Sequence, residues 1–123
     1  MSWDGIEQVN FLANDILFNE GDVGFYFYII QEGEVEVYRQ STQGEKKILD
    51  TISAGQALGE FALVTQRPRS ASARAITSGS AYKVSEENYQ KLLGELPGWA
   101  VAILEGLIER LRKTSELLVE QSM

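Results

Sequence analysis

Two charged residues, Glu60 and Arg69, stand where their types and spacing could do chemistry. They belong to the run Gly59-Glu60-Phe61-Ala62-Leu63-Val64-Thr65-Gln66-Arg67-Pro68-Arg69-Ser70-Ala71-Ser72. A short apolar turn starting at Gly59 leaves backbone N–H groups unpaired at its N-terminal end, and such groups attract an anion. Gly59 lets a ligand come close to the main chain. Arg69 offers a planar fork to phosphate oxygens through short charge-assisted hydrogen bonds, and Pro68 fixes the backbone just before it. A carboxylate at Glu60 repels the same anion, so it suits a hydroxyl donor such as a ribose 2′-OH. These residue types are compatible with an anion and a hydroxyl donor held side by side. An Arg beside a Pro, taken alone, is an ordinary solvated loop.

The rest of the composition narrows the chemistry. The chain has 123 residues, enough for one domain with a core of its own. It contains no cysteine and no histidine, which removes disulfides, thiolate metal sites and the commonest general base. No Asp-rich loop of the calcium type is visible. Eighteen acidic residues against eleven basic ones give a formal charge of −7, the wrong sign for gripping a DNA or RNA backbone. One small anion in a local basic pocket is still compatible with that charge. The N-terminal Met-Ser-Trp-Asp-Gly lacks the blocks of a signal peptide, and no stretch approaches the ~20 apolar residues of a membrane span. The expected location is the cytoplasm.

The elements that must position these residues are short strands. Ile16-Leu17-Phe18 runs into the turn cluster Asn19-Glu20-Gly21-Asp22. Phe25 to Ile30 is aromatic and β-branched, and Glu34 to Tyr38 alternates polar and apolar, the period of a half-buried strand. Lys47 to Ile52, Ser70 to Ala75 and Ser80 to Val84 predict further strands. Such spacing predicts a sandwich or barrel. The tail changes period. Ser85, with Glu86 and Glu87, opens a helix that Gly94 and Pro97-Gly98 interrupt. From Trp99 to Val119 a long amphipathic helix is predicted, with Gly106 costing it about 1 kcal/mol. Leu104, Leu107, Leu111, Thr114 and Leu118 fit alternating a and d positions. That suits a helix packed on its own barrel or, since the stripe outruns the width of a barrel, one that also pairs with the same helix of a second subunit.

The run GEFALVTQRPRSASA resembles the phosphate-binding cassette of cyclic nucleotide-binding domains, in which Gly-Glu-x-Ala-Leu is followed by Pro-Arg-x-Ala. The spacing from Gly59-Glu60 to Pro68-Arg69 matches without a gap. Upstream, Asn19 to Asp22 and Tyr28 to Val37 are similar to that family's glycine turns and barrel strands. The resemblance spans about residues 15 to 120. It implies a mainly β fold with C-terminal α structure: a double-stranded β-helix (jelly-roll) barrel followed by a long dimerisation helix. The single domain would cover 1–123, with the barrel at about 12–84 and the helical tail at about 85–121. It also implies roles. Gly59 and Phe61 would give backbone contacts, Glu60 would accept the ribose 2′-OH, Arg69 would pair with the cyclic phosphate, and Ser70 would bind it through N–H or hydroxyl. Leu58 departs from the pattern, which usually has an aromatic residue there, and puts barrel packing in question.

Further along, Arg110-Leu111-Arg112-Lys113-Thr114-Ser115-Glu116 is similar to the central helix of the family's bacterial activators, which reads Arg-Leu-x-x-Thr-Ser-Glu. That likeness implies that Thr114 and Ser115 contact the adenine amine, one from each subunit, with Arg110 near the phosphate. Ser70 leaves cyclic GMP open as well, because a hydroxyl after the cassette Arg accompanies guanine in some eukaryotic relatives. The expectation is a stand-alone module sensing cyclic AMP, dimeric, acting on an effector protein through its C-terminal helix. It needs no catalytic residue, metal or cofactor besides the ligand, and neither nucleic acid nor membrane. In the empty site Glu60 and Arg69 are expected to neutralise one another. The competing expectation is a ligand-independent dimerisation scaffold with a relic pocket.

Overall fold

The computed structural model describes residues 6–60, 62 and 67–121, apart from the side chains of 112 and 115–121. By contact density the chain divides into two units, 1–86 and 87–123. The first unit is built from strands β1 (Glu7–Phe11), β2 (Ile16–Phe18), β3 (Tyr26–Glu32), β4 (Val35–Gln40), β5 (Lys46–Ile52), β6 (Ala57–Leu58), β7 (Ser72–Ala75) and β8 (Gly79–Ser85). They form two four-stranded sheets, ordered β1-β8-β3-β6 and β2-β7-β4-β5, with antiparallel neighbours throughout. Among the described strands only β4 and β5 are both consecutive in the chain and paired as neighbours in a sheet. The other pairings join strands distant in sequence, the pattern of a jelly roll. The fold is therefore mainly β with helices in the C-terminal part of the chain, as the cassette resemblance implied.

The side chains explain why these segments pair. Val35 on β4, Ala73 and Ala75 on β7 and Ala81 on β8 are fully enclosed, and Ile30, Leu58, Phe18, Phe11, Tyr28 and Ile52 complete the core. Leu58 is buried in this core, so the missing aromatic ring leaves the barrel closed. Two strands escaped the sequence reading. β1 carries no clean alternation and owes its extended form to pairing with β8, and β6 is only two residues long.

Glu36 faces away from the core, yet it too is buried. Lys46 of β5 donates to its carboxylate, and Arg74 Nε of β7 donates at 2.9 Å. Arg74 Nη1 also donates to Asn14 Oδ1 at 3.1 Å. The Lys46 hydrogen bond, and then that of Arg74, hold the Glu36 carboxyl below its ordinary range against the opposing effect of burial. This charged bridge ties three adjacent strands on their outer face.

The second unit holds helices α1 (Glu86–Glu95) and α2 (Gly98–Gln121). The backbone carbonyl of Pro97 accepts N–H bonds from Ala100 and Val101, closing the first turn of α2. Trp99, Ile103, Leu107 and Leu111 recur every four residues and are all exposed, Trp99 at 71%, whereas Leu104 and Ile108 are half-buried. The open apolar stripe thus starts earlier on the helix than the heptad reading placed it. Neither helix is long and apolar enough to cross a membrane.

Candidate functional site

Arg69 is held from both sides of its backbone by the turn at 19–22. Its N–H donates to the Asp22 carbonyl at 2.9 Å, and its carbonyl accepts the Gly21 N–H at 2.8 Å. The turn in its own right is closed by Asn19 N–H on Asp22 Oδ2, and Ser72 Oγ accepts the Glu20 N–H. The predicted glycine turn therefore fixes where the arginine leaves the chain.

The side chain then runs inward, leaving only 4% of the residue's surface exposed. Nη1 donates to the Gly59 carbonyl at 2.7 Å and Nη2 to the Tyr26 carbonyl at 2.5 Å. The guanidinium carbon lies over the Phe18 ring at 4.3 Å and the Tyr26 ring at 4.6 Å. Nε is buried without a hydrogen-bond partner, the one such side-chain atom among the described residues. Two carbonyl dipoles and two ring faces offset part of the cost of burying this cation, but no carboxylate among the described residues pairs with it. The expected local pair of Glu60 and Arg69 is not formed. Arg69 satisfies itself on backbone oxygen instead, because Gly59 O and Tyr26 O lie within its reach, while Glu60 is half-buried and forms none of the described ion pairs.

Gly59 is central to this geometry. Its φ is +82°, in the region that L side chains rarely adopt. Its carbonyl also accepts the Ala62 N–H at 3.3 Å, so the short turn predicted to start here does so. One carbonyl thus links that turn to the arginine.

The structure brings Gly59 and Arg69 into direct contact, and Glu60 follows Gly59 in the chain. Ser70 is exposed, and its carbonyl accepts Arg39 Nε at 2.8 Å. Phe61 lies outside the described residues. On the second unit Arg110 and Thr114 are exposed on α2, and Ser115 lies on the same helix with its side chain outside the described residues. Phe18 and Tyr26 were missed by sequence reasoning. The available signal was two aromatics bracketing the turn that clamps Arg69.

Tyr26 stands beside a second tyrosine, Tyr28, edge to face with ring centroids 5.6 Å apart. Burial, with Tyr26 alongside, pushes the Tyr28 hydroxyl up to about 12 from an ordinary 10.0. The unfolded chain releases this proton first, so the associated stability is intact below pH 10 and declines as pH rises toward 12. The loss should be on the order of 2–3 kcal/mol by pH 12. Alkaline unfolding curves should show this slope in the natural protein and lack it in Tyr28→Phe.

Comparison with known proteins bears on this geometry. Residues 8–95 match the family profile described as "Cyclic nucleotide-binding domain". A cAMP-dependent protein kinase regulatory subunit from Blastocladiella emersonii is 34% identical over 93 residues, covering 76% of this chain and 23% of that protein. The chain spans less than a third of the length of the kinase regulatory subunits it matches. Among solved structures, the half-site-occupied form of the EAL enzyme Bd1971 superimposes with a TM-score of 0.83 at 28% identity, over 90% of this chain and 99% of that one. Its cAMP-bound and cGMP-bound forms match at TM-scores of 0.69 and 0.70, with 27% and 28% identity, over 94% of this chain and 31% of theirs. The Thermus thermophilus catabolite activator protein matches at 0.73 with 27% identity, over 95% of this chain and 55% of that protein.

Proposed function

The chain belongs to the cyclic nucleotide-binding domain family, and from that membership we propose that it binds cyclic AMP as a regulatory module rather than an enzyme. The observation that carries the proposal is the buried guanidinium of Arg69, which has an unpartnered Nε and no carboxylate counterion among the described residues. Burying a cation without a counterion is costly, and two carbonyls and two rings offset that cost only in part. A ligand phosphate supplies the missing charge.

In this proposal Arg69 grips the cyclic phosphate, Glu60 accepts the ribose 2′-OH, and Gly59, Phe61 and Ser70 add contacts to the sugar phosphate. The base is read by Thr114 and Ser115, with Arg110 on the phosphate side. Residues 1–123 act as one ligand-binding domain in the cytoplasm, its barrel running from β1 to β8 and its helical tail following. The open stripe of Trp99, Ile103, Leu107 and Leu111 suits a second copy of the chain, as expected of a homodimer. Ligand weights one position of the C-terminal helix over another, and an effector protein responds to the difference. Such a shift is bounded by the ligand's difference in affinity for the two arrangements. Cyclic GMP is a second reading, favoured by the match to one enzyme in both its cAMP-bound and cGMP-bound forms.

Calorimetric titration with both nucleotides is the test. Cyclic AMP is expected to bind with measurable heat and to raise the melting temperature. Silence from both nucleotides at millimolar concentration would remove the reading. Ser115→Ala should weaken cyclic AMP by about tenfold, the worth of one hydrogen bond in a closed site, and cyclic GMP less.

A further inference from the structure

We propose that Tyr26 is a positioning residue that keeps Arg69 stowed, so that an incoming phosphate has to draw the guanidinium off the Tyr26 ring before gripping it. The inference rests on the reading of Arg69 as the phosphate-binding arginine and adds a determinant of affinity outside the cassette. Four contacts hold the guanidinium: the carbonyls of Gly59 and Tyr26, and the rings of Phe18 and Tyr26. Tyr26 supplies two of the four. With 4% of Arg69 exposed, an anion arriving from solvent meets almost none of the fork. Engagement therefore requires that some of these contacts be given up.

The Tyr26 ring is itself anchored. Lys83 Nζ of β8 lies 4.4 Å from its centroid, so one ring attracts two cations, Arg69 and Lys83. Tyr26 is also paired in register with Ser85 at the end of β8. A ring tied in this way stays behind when Arg69 moves. Apparent affinity is then the intrinsic affinity reduced by the fraction of molecules in which Arg69 is available. Weakening the stowed arrangement raises that fraction.

The test uses the full chain and cyclic AMP as the probe. Tyr26→Leu removes the ring and keeps the carbonyl, and should tighten binding about five- to tenfold, mostly through faster association. Tyr26→Phe keeps the ring face and should stay within about twofold of the natural protein. A residue that merely supports the barrel would give the opposite sign, because its loss loosens the site. A second readout needs no variant. In the ligand-free natural protein, the Arg69 Nε–H proton resonance should be shifted upfield by the two rings, and saturation with cyclic AMP should move it back toward the ordinary arginine position. If Tyr26→Leu binds equally or more weakly while Arg69→Lys still impairs binding, the stowing role is overturned and the functional reading survives. A resonance that ligand leaves unmoved also overturns it. Absence of binding in every protein overturns both.

Discussion

Replacing Arg69 by lysine should weaken cyclic AMP binding about 100-fold while moving the melting temperature of the ligand-free protein by less than about 5 °C. The first half follows from geometry. A guanidinium delivers parallel, charge-assisted donors to one phosphate, whereas an ammonium is a point charge on a flexible stem. Hydrogen bonds to charged groups contribute roughly 1.5–3 kcal/mol each, so losing the fork amounts to about two factors of ten. The second half follows from what Arg69 does without ligand. Its cation is buried with no carboxylate partner among the described residues and one orphaned N–H. Removing that charge recovers its burial cost but deprives the Gly59 and Tyr26 carbonyls of their donors, and the two effects offset to within about 1 kcal/mol. Arg69→Leu should accordingly abolish binding at nearly unchanged thermal stability. Calorimetry and thermal melts on the same preparations check both halves. Binding retained in Arg69→Lys would remove Arg69 as the phosphate group's partner. A collapse in stability would make it a structural arginine instead.

This division between binding and stability also marks what the sequence could reveal. Local signals carried most of the fold. The turn residues Asn19 to Asp22, the alternation in β4 and the change of period near Ser85 each rest on neighbours in the chain. The cassette was legible for the same reason, since Gly59-Glu60 and Pro68-Arg69 lie within one short segment. What escaped depends on distant partners. β1 exists because β8 lies beside it. Glu36 reads as a solvated strand residue, yet Lys46 and Arg74 close over it from two other strands. The carbonyl that takes Arg69 Nη2 belongs to a residue 43 positions away. No periodicity marks such a contact, and the expected Glu60–Arg69 pair shows the consequence: proximity along the chain suggested the partner, and the barrel supplied others. The helix gave a mixed result. Its length was read within two residues at each end, whereas its open apolar stripe runs through Trp99 and Ile103, positions outside the strict heptad.

Gly59→Ala should destabilise the protein by about 2–4 kcal/mol, lowering the melting temperature by roughly 10 °C. Two costs combine. At φ +82° a Cβ strains the backbone by about 1–2 kcal/mol. That Cβ would also sit 2.6 Å from Arg69 Nη1 and 3.1 Å from the Phe18 ring. An arginine tip ordinarily yields at little cost. Here it is bonded to the Gly59 and Tyr26 carbonyls and covered by two rings, and Phe18 is locked in the core, so relief requires breaking contacts that offset the buried charge. Gly55→Ala separates the two costs. Gly55 has φ +86°, and a Cβ there would meet nothing within 4 Å, so it should lose only the backbone share, about 1–2 kcal/mol. The excess at Gly59 measures how tightly the arginine is held. Adding Arg69→Leu to Gly59→Ala should return most of that excess, since the residues touch and their effects cannot be additive. Equal losses at Gly55 and Gly59, measured by chemical denaturation, would mean that Arg69 moves freely and that backbone strain alone requires the glycine.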